Sequence, residues 1–88
     1  MSNPLPAGWT GTDACRERRF GLFLVQIRCV RRPLRVRFTW SIWACGHVLV
    51  AKNSREVASF DKASTKALAR LDAIVEEVRV ARQAMETT

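Results

Sequence analysis

The chain lacks the residue groupings on which most enzyme active sites are built. It has one histidine among its 88 residues, and no Ser/His/Asp set accompanies it. It also has no glycine-rich phosphate-binding loop and no pair of carboxylates at catalytic spacing. The sequence therefore predicts a protein that is not an enzyme.

Cysteine is scarce and is not arranged in a common framework. Cys15, Cys29 and Cys45 form no C-x-x-C pair. Together with His47 they have the ligand types of a tetrahedral zinc site, but their spacing matches no common zinc motif. An odd number of cysteines without a secretory signal indicates reduced thiols. We therefore expect no metal, no cofactor and a cytoplasmic location.

Long apolar runs are absent. None approaches the roughly 20 residues of a membrane-spanning helix, so no membrane association is expected. Residues 20–27 follow basic residues, as the apolar part of a signal peptide does, but this run is short, begins late and lacks a small-residue cleavage site. The length of 88 residues and the hydrophobic content of 48% predict one small folded domain with a modest core.

Negative charge is scarce in the first part of the chain. Residues 1–55 hold ten Lys or Arg and two acids, a net charge of +8, whereas residues 56–88 have a net charge of −1. Nine of those ten basic residues are arginine. Because arginine makes two-pronged contacts with phosphate and carboxylate, this half indicates an anionic partner. A solvated basic face with no partner is the alternative.

One strongly alternating segment is present at residues 34–45. Every second residue from Leu34 to Ala44 is apolar, and the positions between them are mostly polar or basic. Because side chains alternate between the faces of a strand, the pattern predicts a strand with an apolar side and a basic side. The residues on the basic side are Arg35, Arg37, Thr39, Ser41 and Trp43.

The remaining patterns predict an α+β fold. Residues 1–19 contain proline and glycine without periodicity, which is typical of an N-terminal arm, and residues 20–88 are expected to form a single α+β domain. Asp61 is expected to cap the helix. The expected architecture is an antiparallel three- to four-stranded meander packed on one long C-terminal helix. The expected elements are strands at about 20–30, 34–45, 47–52 and 55–60 and a helix at about 61–85.

A sheet face that combines cations with an aromatic ring suits nucleic acid, because the cations hold phosphate and the ring stacks on a base or sugar. We therefore expect a small nucleic-acid-binding module. A partly buried position under the arm or in a dimer interface is the alternative for Trp43. The candidate binding residues are Arg28, Arg31, Arg32, Arg35, Arg37 and Trp43.

The junction between the last expected strand and the helix carries a resemblance to known domains. Val57–Ala67 joins a strand, an aromatic residue, polar helix-start residues and a buried alanine. It resembles the arm-type DNA-binding domain of tyrosine recombinases, which implies a three-stranded sheet backed by one helix and DNA as the partner. The distance from the aromatic to the alanine is one residue longer than is common in that family. With residues 46–50, the segment also resembles small bacterial βββα domains of unknown function.

Two other kinds of partner fit the same chain. Small basic proteins of this size are frequent among phage and mobile-element inhibitors, anti-CRISPR proteins among them. In that case the arginines would meet an acidic surface of a host protein complex, with Trp43 as the anchor. The last helical turns form a second candidate surface, because Val78, Ala81 and Met85 would either cover the end of the sheet or pack against a second copy in a homodimer.

Overall fold

The computed structural model describes residues 8–87 and shows one antiparallel sheet packed against one long helix. The five strands lie side by side in chain order. This confirms the predicted α+β class and the antiparallel meander on a C-terminal helix. The elements are β1 (Thr10–Gly11), β2 (Cys15–Phe20), β3 (Phe23–Arg32), β4 (Arg35–Ala44), β5 (Val48–Lys52) and α1 (Phe60–Glu86).

Alternation along the two central strands builds the core. Val25 pairs with Ile42 and Ile27 pairs with Trp40, so these four side chains leave the sheet on the same face. Val25 and Ile42 are fully buried. The helix covers this face with small and branched side chains that recur at helical spacing. They are Ala63, Ala67, Leu71 and Ile74.

The cap of α1 differs from the expected one. Ser59 has an extended backbone, and its Oγ accepts a hydrogen bond of 3.1 Å from the backbone N–H of Lys62. This bond satisfies one of the amide groups that the first helical turn leaves unpaired. Asp61, predicted as the cap, lies inside the first turn, where its carboxylate complements the positive end of the helix dipole.

Much of the predicted N-terminal arm belongs to the sheet. Residues 1–7 lie outside the described part of the chain, but β2 pairs with β3 along its whole length and β1 pairs with β2. Arg16 and Arg18 occupy the helix-side positions of β2, where a hydrophobic pattern would have revealed the strand. Their guanidinium carbons lie 4.4 Å from the ring centre of Phe60 and 4.8 Å from that of Phe20, respectively. Cation–π contacts and buried alkyl stems thus replace aliphatic packing here.

Trp9 joins the start of the described chain to the core. It is buried, and its ring meets that of Phe60 edge-on, with the centres 5.2 Å apart. Edge-to-face pairs of this kind are a favourable arrangement of aromatic rings. Trp9 therefore holds the chain immediately before β1 against the beginning of α1.

The predicted strand at residues 55–60 is reduced to a single bridge. Val57 exchanges two backbone hydrogen bonds with Phe38, at 2.8 and 2.9 Å. The chain then enters α1 at Phe60, so too few residues remain for the strand predicted at residues 55–60. The bridge holds the segment between β5 and α1 against the edge of β4.

The second half of α1 extends beyond the sheet. The helix has 27 residues, which makes it roughly 40 Å long, and its last buried residue is Ile74. Val78 and Met85 are 55% and 76% exposed, and Ala81 is exposed as well. Of the two alternatives for these three residues, covering the end of the sheet is therefore wrong. Within residues 8–87, no helix has the combined length and apolar character that crossing a membrane requires.

Candidate nucleic-acid interface

The sheet face opposite α1 carries a row of arginines. Across β3 and β4, Arg28 lies opposite Thr39 and Arg32 lies opposite Arg35. Arg37 shares their face, because it is two residues from both Arg35 and Thr39 and side chains alternate along a strand. We call this surface the open face. It contains five of the six residues predicted to bind a partner, which are Arg28, Arg32, Arg35, Arg37 and Trp43.

Arg31 does not belong to this group. It pairs with Val36 and is in phase with Ile27 and Cys29, so its side chain leaves the sheet on the helix side. Both Arg31 and Val36 are exposed there. The period-two rule that predicted the two faces of β4 excludes Arg31 from the open face once it is applied to β3 as well.

Two acids belong to the open face: Glu17 on β2 accepts a hydrogen bond of 2.8 Å from Nε2 of Gln26, and Glu56 lies among the arginines. Glu56 accepts two hydrogen bonds from the guanidinium of Arg32, one of them at 3.3 Å from Nε. The pKa of Glu56 is lowered, first by these bonds and then by the positive charges of Arg32, Arg37 and Arg35, although partial desolvation opposes the shift. The carboxylate is therefore ionised at neutral pH. It occupies Arg32 in the two-pronged manner in which a phosphate would.

Trp43 lies at the other end of the open face. Its indole N–H donates to Oγ of Ser41, two residues back on the same face, at 2.9 Å. Leu24 is its neighbour on β3 and Leu49 is its neighbour on β5, and the ring is half-buried. The hydrogen bond and the two leucines hold the ring in one orientation on the sheet, as a stacking surface requires.

A groove of about 480 Å³ runs beside Trp43. Arg28 and Lys52 contribute cations to it, and Gln26 and Thr39 contribute hydrogen-bonding groups. An aromatic ring, two cations and neutral polar groups therefore share one concave surface. These are the side-chain types with which proteins hold a single nucleic-acid strand.

The cysteines and the histidine do not come together as metal ligands. Within the described residues, no group of three or more Cys, His, Asp or Glu side chains could hold a metal ion. Cys15 pairs with Arg28 and so belongs to the open face, whereas Cys29 lies on the helix side. His47 places Nδ1 2.8 Å from the carbonyl oxygen of Cys45, to which it donates. All three thiols are free.

A second basic groove lies at the β5 edge of the sheet, between that edge and α1. Four cations line it, and none of them is among the residues predicted to bind a partner. Two come from the end of β5 and the following turn, and two come from α1, so only the folded chain brings them together. We call this surface the edge groove, and its cations are Lys52, Arg55, Lys66 and Arg70.

Comparison with known proteins assigns no role to the open face or to the edge groove. Both surfaces are therefore interpreted from their own charges, hydrogen bonds and exposure. No protein-family model matches the chain, and comparison with curated proteins and with solved structures finds no match.

Proposed function

We propose that the protein is a small non-enzymatic module that binds nucleic acid through its open face. The observation that supports this most directly is the state of the arginines. In the described part of the chain, Arg28, Arg35 and Arg37 have no acidic group within ion-pair distance, whereas Arg32 is paired with Glu56. Three guanidinium groups on one face are thus available to phosphate.

In the expected mode of binding, the cations and the aromatic ring contact different parts of the nucleic acid. Arginine contacts to phosphate release counterions and supply affinity that does not depend on sequence. Trp43 offers an apolar surface to a base or sugar, and the hydroxyl and amide groups beside it offer hydrogen bonds. Affinity should therefore fall steeply as salt is raised, and sequence preference should be modest.

Fluorescence anisotropy of labelled DNA and RNA, both single-stranded and duplex, tests this proposal. The double variant R35A/R37A should bind more weakly, and its slope of log affinity against log salt should be about 1.4 to 1.8 shallower, because two phosphate contacts are lost. The variant R79A/R82A removes the same charge from the far end of α1 and serves as the control. A flat titration of the wild type with every nucleic acid at about 50 mM salt refutes the proposal.

An acidic protein surface is the alternative partner, as for a phage- or mobile-element-type inhibitor, and the arginine chemistry would be the same. We place the protein in the cytoplasm, in line with its three free cysteines. A bacterial cytosolic lysate treated with nuclease is therefore the appropriate sample for a pull-down. A protein retained there through Arg35 and Arg37, together with flat nucleic-acid titrations, would favour the alternative.

We further propose that the exposed end of α1 pairs with a second copy of the chain. The stripe formed by Leu71 and Ile74 continues at three- and four-residue spacing through Val78, Ala81 and Met85. A parallel partner helix would collide with the sheet, because the sheet covers the same stripe along the first half of α1. An antiparallel partner avoids the sheet.

Light scattering tests the dimer. The wild type should dimerise at concentrations on the order of 100 µM, because the exposed stripe is short and predicts weak association. The variant Val78→Lys should be a monomer, whereas Val80→Lys, a change at another exposed valine of the same segment that lies off the stripe, should still dimerise. A wild-type monomer at that concentration rules out the dimer.

A further inference from the structure

The edge groove has the composition of an anion-binding site. It has a volume of about 440 Å³, and no acid is among the residues that line it. Lys66 and Arg70 are four residues apart on α1, so they lie one above the other on the same side of the helix. Lys52 and Arg55 face them from the end of β5 and the turn that follows.

A second, independent feature of the groove is an unpaired indole. Trp40 lines the groove and is only 8% exposed, yet its Nε1 has no hydrogen-bond partner in the described part of the chain. Buried donors without an acceptor are unfavourable and rare in folded proteins, so each calls for an explanation. Because Trp40 shares this groove with four cations, we infer that an anion bound there would accept this bond.

The turn that carries two of the cations is held in place by Asn53. Its Oδ1 accepts a hydrogen bond from the backbone N–H of Trp40 at 3.2 Å, and its Nδ2 donates to the carbonyl of Arg55 at 2.5 Å. Its own backbone N–H donates to the carbonyl of Trp40 at 3.1 Å. These three bonds fix the turn against β4 before any ligand arrives, which lowers the entropic cost of binding.

The edge groove is continuous with the groove beside Trp43. Lys52 and Asn53 line both grooves. A bulge in the pairing of β4 with β5 sets Leu49 opposite Trp43 on the open face, while the next residue, Val50, lines the edge groove. The end of β5 is therefore the place where a ligand can pass from one groove to the other.

We propose that the edge groove binds phosphate groups of a single-stranded nucleic acid that also occupies the open face. The strand passes over the end of β5 and continues along Lys66 and Arg70 of α1. A single strand fits this path better than a duplex, because duplex DNA has a persistence length of about 150 base pairs and bending it around the edge of so small a sheet costs free energy. This inference rests on the proposed function and names its substrate class.

The test compares two double variants that remove equal charge from α1. K66A/R70A removes both helix cations of the edge groove, and R79A/R82A removes two from the exposed end. Single-stranded oligonucleotide binding is measured by anisotropy at several salt concentrations.

For K66A/R70A the slope of log affinity against log salt should be about 1.4 shallower, and the affinity at about 50 mM salt should be at least tenfold weaker. The control should change less than about threefold, and thermal melts should show both variants folded, since alanine favours helix.

The indole N–H signal of Trp40 gives a direct readout at the site. In a ¹⁵N-labelled sample this signal is assigned by its loss in Trp40→Phe, and it should shift when oligonucleotide is added to the wild type. The shift should be lost in K66A/R70A and kept in R79A/R82A. Inorganic phosphate alone is the second probe. A shift with phosphate but none with oligonucleotide overturns the assignment to a nucleic-acid strand.

The possible failures are distinguishable. If both double variants bind the oligonucleotide equally weakly, the loss of affinity reflects net charge alone, and the inference is overturned. If R35A/R37A weakens binding while K66A/R70A does not, the edge groove is excluded and the proposed function stands. If the wild type binds no nucleic acid, the proposed function fails and this inference fails with it.

Discussion

Replacing Glu56 by glutamine should strengthen nucleic-acid binding. In the structure the Glu56 carboxylate occupies Arg32 with two hydrogen bonds, and its lowered pKa keeps it ionised. A phosphate must displace this carboxylate before it can contact Arg32. Glutamine keeps the size and a hydrogen-bonding group but removes the charge, so Arg32 becomes available.

The size of the gain follows from one additional phosphate contact. Each contact with a single strand adds about 0.7 to the salt slope, so relative to a reference near 1 M salt the gain is about eightfold at 50 mM and about threefold at 200 mM. The pair is partly exposed, with side-chain exposures of 52% for Arg32 and 27% for Glu56. Its loss should therefore change the melting temperature little.

Anisotropy titrations at the two salt concentrations measure this gain, and Glu76→Gln is the matched control. Glu76 pairs with Arg79 through two hydrogen bonds, at 2.5 and 3.0 Å, on the exposed end of α1. The two substitutions therefore change the net charge equally. If E56Q binds no better than E76Q, Glu56 does not compete with the ligand. If it binds more weakly than the wild type, Glu56 instead holds Arg32 in the binding geometry.

The pH dependence has a definite sign. The folded-state pKa of Glu56 lies below the ordinary value of 4.5, chiefly because of the bonds from Arg32. The pair is therefore fully present above that value and is lost as the pH falls through the lowered pKa. The advantage of E56Q should be constant from about pH 5 to 8 and should shrink only in more acidic solution.

Three further predictions concern stability. Ile42→Ala removes a fully buried side chain and should lower the free energy of unfolding by about 2–5 kcal/mol in urea titrations; a loss below about 1 kcal/mol would mean that this position is not central to the core. Ser59→Ala removes the cap of α1 and should cost about 1 kcal/mol in thermal melts, whereas Ser59→Asp should not; equal melts for the two would contradict the capping role. Gly11→Ala should speed amide exchange across β1 and β2, because Gly11 has a φ of 108° and an added Cβ would lie 2.3 Å from the carbonyl oxygen of Cys15; unchanged exchange would show that the contact relaxes freely.

The parts of the fold that sequence reasoning predicted are those in which one period dominates. β4 alternates without interruption, so its two faces could be predicted directly, including the places of Arg35, Arg37 and Trp43 on the open face. The helix was predicted from its apolar spacing and begins one residue earlier than expected. Residue spacing, however, does not reveal where the sheet ends, so it left open whether the last turns of α1 cover the sheet or extend beyond it.

The parts that were missed depend on contacts between distant segments. In β2 the inward positions are Arg16 and Arg18, whose guanidinium groups cover aromatic rings, so the strand has no hydrophobic signal. The edge groove joins β5 and its turn to α1, and nothing in the sequence relates Lys52 to Lys66 or Arg70. Trp40 is buried, as its place on the apolar side of the alternating segment predicts. The lack of a hydrogen-bond partner for its indole is visible only in three dimensions.

The alternation of β4 has a consequence for how this protein can change over generations. Its even-numbered residues, such as Trp40 and Ile42, determine whether the chain folds, while the odd-numbered residues between them contact solvent and any ligand. The residues that stabilise the fold and those available to a ligand thus occupy alternate positions of the same ten-residue strand. Substitutions at every second position can therefore change ligand preference without changing the core. A saturation mutagenesis library scored separately for abundance and for binding should show two interleaved sets of sensitive sites.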